Sequence, residues 1–261
     1  MSAVLREAAT VALMRDRPGT EPEVLLVQRQ GKDAFAGGAF VFPGGILETR
    51  DCSPEAFALC AGLRPEDAAN ILRTADSSER ALGYFVAAIR ETFEEVGILL
   101  ARDSQGRSWH AHEALSAARA RLHERRLDFL QWLAERGLRL AVEDLGYFAH
   151  WITPQALPKR FDTRFFLAAV DAGAAAEPDH AEVVDCRWIG PSEALAAHRA
   201  GSMRMVNATV KTLEMLVGFA GAAEARERLC SREITAIRPK AVREGNGFRV
   251  VNPWEAGYDE L

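Results

Sequence analysis

The chain has 261 residues, 48% hydrophobic and 26% charged, enough apolar material for one large core or two small ones and too well mixed for disorder. A formal net charge of -5 leaves no electrostatic footprint for nucleic acid, so any phosphate it handles must be screened locally by metal and a few placed cations. No stretch approaches the roughly 20 apolar residues of a membrane helix, and no signal-like segment follows Met1, so the expected setting is cytoplasmic, without membrane or nucleic-acid partners.

In chain order, Ala8 to Met14 is apolar and β-tolerant and runs into a turn at Asp16-Arg17-Pro18-Gly19. Glu23 to Arg29 reads as a buried strand, and the stretch from Gly31 to Gly38 leads to Ala39-Phe40-Val41-Phe42. Pro43-Gly44-Gly45 breaks that strand. The two glycines permit backbone angles closed to other residues, which lets a carbonyl turn toward a cation; a tight loop with no ligand is the alternative.

Ser53-Pro54-Glu55 is a helix start, with Gly62 as a stop, and Arg64-Pro65-Glu66-Asp67 starts a second helix to about Leu72. Ser77 or Ser78 caps a long helix that ends at Gly97. On it Glu91, Glu94 and Glu95 stand at i, i+3 and i+4, so three carboxylates share one patch. Like charges so placed repel; taken alone the cluster reads as a solvated acidic face, and a metal site is the alternative that its context must support. Phe57, Leu59, Leu63, Ile71, Leu72 and Tyr84 are left to cover an active-site mouth or to form a homodimer surface.

From His112 to Leu140 the positions Leu115, Ala118, Leu122, Phe129, Leu130 and Leu133 keep helical spacing, with Arg119, Arg121, Arg125 and Arg126 predicted on a solvated face. Leu145 to Ile152 and Arg164 to Val170 read as sheet strands, Leu195 and Thr209 to Phe219 as helices. The tail from Ile234 to Leu261 is predicted to be irregular, with one strand at Phe248 to Val251. Cys52, Cys60, Cys186 and Cys230 show no paired spacing and are expected as reduced thiols, and the i, i+2 pair His110 and His112 makes a poor zinc site.

Gly44-Gly45, Asp51 and Arg90-Glu91-Thr92-Phe93-Glu94-Glu95-Val96-Gly97-Ile98 together resemble the two halves of a Nudix box. Asp51 stands at the first glutamate of that pattern and Thr92 at an aliphatic position. Residues 52 to 89, 38 in all, stand where the family has seven, and a subgroup related to the peroxisomal coenzyme A diphosphatases carries such an insertion. Trp151-Ile152-Thr153-Pro154, the segment Pro158 to Phe166, and Glu182 followed by Trp188-Ile189 and Ser192 to Leu195 extend the resemblance over most of the chain.

The resemblance implies one domain over 1–261, an α/β/α sandwich with a mixed central sheet, a helical insertion at about 52–84 and extra C-terminal helices at about 200–261. It implies Mg²⁺ or Mn²⁺ held by Glu91, Glu94, Glu95 and the Gly44 carbonyl, with Arg90 orienting a glutamate and Glu182, or the nearby Glu177, as general base. Arg29, Lys159, Arg160 and Arg164 are the candidates for substrate phosphates, and Phe35, Phe40, Trp151 and Phe161 for adenine stacking or core packing. The implied reaction is metal-dependent hydrolysis of a diphosphate in coenzyme A or an acyl-coenzyme A. ADP-ribose, NADH or a diphosphoinositol-like substrate, or a non-catalytic Nudix-like binding module, are the alternatives.

Overall fold

The structure is a computed structural model that describes residues 3–31, 37–73, 77–109, 112–245 and 247–260. Apolar alternation builds β1 (Leu5–Arg15) and β2 (Glu23–Arg29), followed by two short strands, β3 (Phe40–Val41) and β4 (Gly44–Ile46). A 3₁₀ turn at Thr49–Cys52 leads into α1 (Pro54–Ala58), α2 (Pro65–Leu72) and the long α3 (Ser78–Val96). Next come β5 (Ala101–Arg102), α4 (His112–His123), α5 (Phe129–Glu135) and β6 (Arg139–Leu140), then β7 (Gly146–Ile152), β8 (Arg160–Val170) and β9 (Val183–Ile189). The chain closes with α6 (Pro191–Arg199), α7 (Asn207–Leu216), α8 (Ala222–Cys230) and the hairpin β10 (Lys240–Glu244) and β11 (Gly247–Val251).

The main sheet is mixed: its order is β3-β2-β1-β8-β7, with β4 added to β1 and β9 to β2. Only the β1–β8 pairing is parallel in it, and it spans the whole of both strands, Leu5 opposite Arg160 through Arg15 opposite Val170. That partner extends β8 four residues before the expected start at Arg164.

Strand periodicity makes the sheet two-faced. Ala9, Val11, Leu13, Leu25, Val27 and Phe166 turn to the core under α3, while Ala12, Met14, Val24, Leu26, Phe165 and Leu167 turn to a second core under α6 to α8. The result is the expected α/β/α layering. In the first core α5 locks onto α3 through aromatic rings, Phe93 stacking on Phe129 at 5.8 Å and on Trp132 at 5.7 Å.

The insertion is helical as predicted, with Ser53 and Ser77 accepting the Ala56 and Arg80 amides as N-caps. Its apolar residues divide between the core and the surface. Leu72 and Tyr84 are core residues, Phe57, Leu59 and Leu63 pack against that core, and of the six only Ile71 stays exposed. The tail from Ile234 departs from expectation only in its second strand, while α8 lies before it, among the expected C-terminal helices. Ala222, Ala225 and Leu229 of α8 are buried beneath the sheet, and β10 exists because β11 pairs with it over five residues. Small alanines carry too little apolar contrast to announce that helix in the sequence.

Candidate active site

The site forms where β4 passes the last two turns of α3. Gly44 has φ +149°, and a Cβ there would lie 2.2 Å from the Ala9 carbonyl oxygen. A Cβ on Gly45 would lie 2.4 Å from the Glu91 carboxyl carbon. Both positions therefore demand glycine, the first for its conformation and its fit against β1, the second to admit a carboxylate.

Glu95 grips this strand. Its carboxylate is buried, accepts the Gly44 amide at 2.9 Å, and pairs with Arg29 at 3.0 Å, while the same Arg29 Nη2 donates to the Gly44 carbonyl at 2.8 Å. Arg90 organises the other carboxylates. Nε and Nη2 each donate to Asp51 at 2.9 Å, Nη2 also reaches the Ile46 carbonyl at 3.0 Å, and Nη1 reaches Glu91 at 2.9 Å and Glu94 at 3.3 Å. Asp51 thus fills the role open to the longer glutamate of the family pattern. It also accepts the Glu48 amide, fixing the 3₁₀ turn that presents it. Thr92, the polar departure from that pattern, is fully buried and satisfied by the Ala88 carbonyl one turn back at 2.7 Å.

Electrostatics mark the cluster as short of positive charge. Burial pushes the Glu91 carboxyl up to about 7 against the opposing pull of Arg90, and pushes Glu95 up to about 8 against Arg29. Burial raises Glu94 as well. Burial opposes the charge on Arg90, and Asp51, Glu91 and Glu94 more than offset it.

Glu182 is brought to the same place from the far side of β2. Asp179 accepts the Ala181, Glu182 and Val183 amides in a tight turn, which leaves the Glu182 side chain 69% exposed with its carboxylate 3.8 Å from Arg29. Glu177 lies elsewhere in that loop, its amide donating to the Val96 carbonyl at 3.0 Å.

The side chain that closes the end of α3 departs from expectation. Arg119, predicted on a solvated face, is 8% exposed and donates from α4 to the carbonyls of Glu94 at 2.8 Å and Glu95 at 2.6 Å. A signal for this was available, because Arg119 follows Leu115 by four residues and precedes Leu122 by three, on the apolar stripe.

The remaining predicted residues do not gather here. Arg164 is buried, bound to Asp162 beside His150, with its guanidinium 4.7 Å over the Tyr84 ring; it supports the sheet interior, which corrects its expected place on a substrate phosphate. Exposed Lys159 and half-buried Arg160 lie at the start of β8, whose Arg160 sits opposite Leu5, whereas Gly44 to Ile46 lie opposite Thr10 to Ala8. Phe40 and Trp151 are core residues and Phe161 is partly buried, while Phe35 and His110 fall outside the described residues. A surface recess of about 750 Å³ at the turn between β1 and β2, lined by Asp16, Arg17 and Glu21 among others, holds none of the site's carboxylates.

Among the described residues no three His, Cys, Asp or Glu side chains form a ready-made metal cage, since the carboxylates are drawn to Arg29, Arg90 and the Gly44 amide. By chemistry the donors nevertheless fit a hard divalent ion. They are oxygens only, carboxylates with one strand carbonyl, and Asp51, Glu91, Glu94, Glu95 and Glu182 outnumber Arg29 and Arg90.

A mixed sheet between helical layers, with a glycine strand laid against a carboxylate-bearing helix, defines the Nudix class. The chain belongs to the NUDT19 Nudix domain family, which matches residues 4–214. It is 30% identical over 243 residues to the acyl-coenzyme A diphosphatase NUDT19 of Xenopus laevis, covering 81% of this chain and 64% of that one. The human protein of the same name is 30% identical over 214 residues, 69% of this chain and 56% of its own. The chain thus spans less than two thirds of the length of these relatives. A crystal structure of a NUDIX hydrolase from Alicyclobacillus acidocaldarius aligns with a TM-score of 0.67 at 26% identity, covering 88% of this chain and 99% of that one.

Proposed function

We propose that this chain is a divalent-metal-dependent diphosphatase that hydrolyses coenzyme A or an acyl-coenzyme A. The observation that carries the reaction class is the buried carboxylate cluster of Glu91, Glu94 and Glu95 on α3, laid against Gly44 and Gly45 through the Glu95 bond to the Gly44 amide and the close approach of Glu91 to Gly45. Kinship with proteins named acyl-coenzyme A diphosphatase supports the substrate.

Glu91, Glu94, Glu95 and the Gly44 carbonyl would hold Mg²⁺ or Mn²⁺. When bound, the ion neutralises the diphosphate and lowers the pKa of a coordinated water. Arg90, itself held by Asp51, sets Glu91 and Glu94, and Arg29 holds Glu95 while standing beside Glu182. Exposed Glu182 serves as the general base, taking a proton from the attacking water as the bridging P–O bond breaks and two phosphomonoesters leave. Arg29 faces the diphosphate. Lys159 and Arg160 are assigned to a phosphate remote from the scissile bond, such as the 3′-phosphate of coenzyme A. The four cysteines are free thiols, which fits a cytoplasmic setting, and no helix among the described residues is long and apolar enough to cross a membrane.

The deciding assay is a panel of coenzyme A, acyl-coenzyme A, NADH, ADP-ribose and dinucleoside polyphosphates with Mg²⁺ and with Mn²⁺. Turnover confined to the coenzyme A compounds supports the proposal. Preference for ADP-ribose or NADH redirects the substrate, and binding without turnover of any compound makes the chain a ligand-binding module.

A further inference from the structure

We propose that Arg119 is a positioning residue for the metal-binding turn of α3, a role that rests on the reading of Glu94 and Glu95 as metal ligands. A helix leaves its last four carbonyls without partners of its own. In α3, which ends at Val96, all four are taken, by three different partners. The Phe93 carbonyl accepts the Gly97 amide at 3.0 Å, Glu94 and Glu95 accept Arg119, and Val96 accepts the Glu177 amide at 3.0 Å. The two carbonyls held by Arg119 belong to the two residues whose side chains face the cation-deficient cluster.

One guanidinium therefore fixes two adjacent peptide planes, and through them the directions in which two carboxylates leave the helix. Its planar fork suits this, with Nε and Nη2 spanning neighbouring carbonyls as a lysine ammonium cannot. A cation at the negative end of the helix dipole adds attraction. Val96, Leu115, Arg119 and Glu177 also line a small cavity beside Gly97, so the seam joins α3, α4 and the loop that carries Glu182. Arg119 contacts backbone and not the carboxylates' oxygens, so its effect on the metal passes through the placing of Glu94 and Glu95.

The test is Mn²⁺ binding by the full chain, followed by electron paramagnetic resonance, alongside kcat, KM and thermal midpoint. In Arg119→Met, Mn²⁺ affinity and kcat should each fall about 10- to 100-fold, with KM for the best substrate of the panel little changed. Arg119→Lys keeps charge and length and should recover the thermal midpoint but only part of the Mn²⁺ affinity. Wild-type Mn²⁺ affinity in Arg119→Met overturns the role, and if that variant does not fold, wild-type affinity in Arg119→Lys does so. An unaltered chain that binds no Mn²⁺ overturns the metal reading itself, a result separate from the behaviour of either variant.

Discussion

Asp51 and Arg90 meet in a two-bonded ion pair, both contacts at 2.9 Å and both side chains buried, although residues 52 to 89 intervene. The pair clasps the 3₁₀ turn after β4 to α3, and the Arg90 bond to the Ile46 carbonyl extends the clasp to β4 itself. Asp51→Asn keeps the volume and removes the charge, leaving a buried guanidinium with weaker compensation. Loss of one partner from such a pair costs on the order of 3–5 kcal/mol. Urea unfolding of Asp51→Asn should show a loss approaching that size, and unfolding indistinguishable from wild type would show that the clasp carries no stability.

Glu94 is the least enclosed of the three helix carboxylates, its side chain 30% exposed and held by one contact to Arg90. Glu94→Gln should leave the circular dichroism spectrum and thermal midpoint nearly intact while cutting kcat by about 100-fold or more. Near-normal turnover in this variant is the result that removes Glu94 from the metal site.

The paired glycines should separate in their effects. Gly44→Ala meets the Ala9 carbonyl oxygen and requires an unfavourable φ, so its main effect should be on folding, measured as a lowered thermal midpoint. Gly45→Ala meets only the movable end of Glu91, so it should fold and lose activity. Equal loss of stability in the two variants would contradict this division.

For Glu91 and Glu95 the pH dependence has a definite sign. Unfolded, these groups lose their protons near 4.5; folded, burial holds them to about 7 and about 8. Across that window the folded chain binds more protons, so the stability they lend below it is lost as pH rises through 7 to 8. On the proposed reading a divalent ion would replace those protons, so Mn²⁺ should raise the thermal midpoint more at about pH 8.5 than at about pH 6. A larger shift at the lower pH would be inconsistent with carboxylate ligands titrating in this range.

Much of the fold, and the grouping of the helix carboxylates, is legible in the sequence because local patterns carry them. The ends of α3 follow from Ser77 and Gly97, and the grouping of Glu91, Glu94 and Glu95 follows from helical spacing. What the spacing could not show was which long-range partner each charge would find. Arg29 was read for substrate and also binds Glu95 and Gly44, and Arg164 was read for substrate and is taken by Asp162. Arg119 was misplaced because arginine is usually solvated, and only the exposed end of α3 gives a reason to bury one. The C-terminal region was obscure for a different reason: α8, ahead of the tail, is built on alanines, and β10 within the tail depends on its partner strand.

Near its two ends the insertion touches itself. Cys52 packs so closely on α3 that a Cβ on Gly83 would lie 2.4 Å from its sulfur, one residue beyond the point where Asp51 meets Arg90. The excursion between them is therefore a closed ring of chain seated on the helix. Lengthening such a ring from seven residues to 38 raises the entropy of closure only logarithmically, by about 1.5 kcal/mol for a flexible chain. A ring of this kind can therefore differ in length at small cost while the Asp51–Arg90 clasp at its base keeps its geometry.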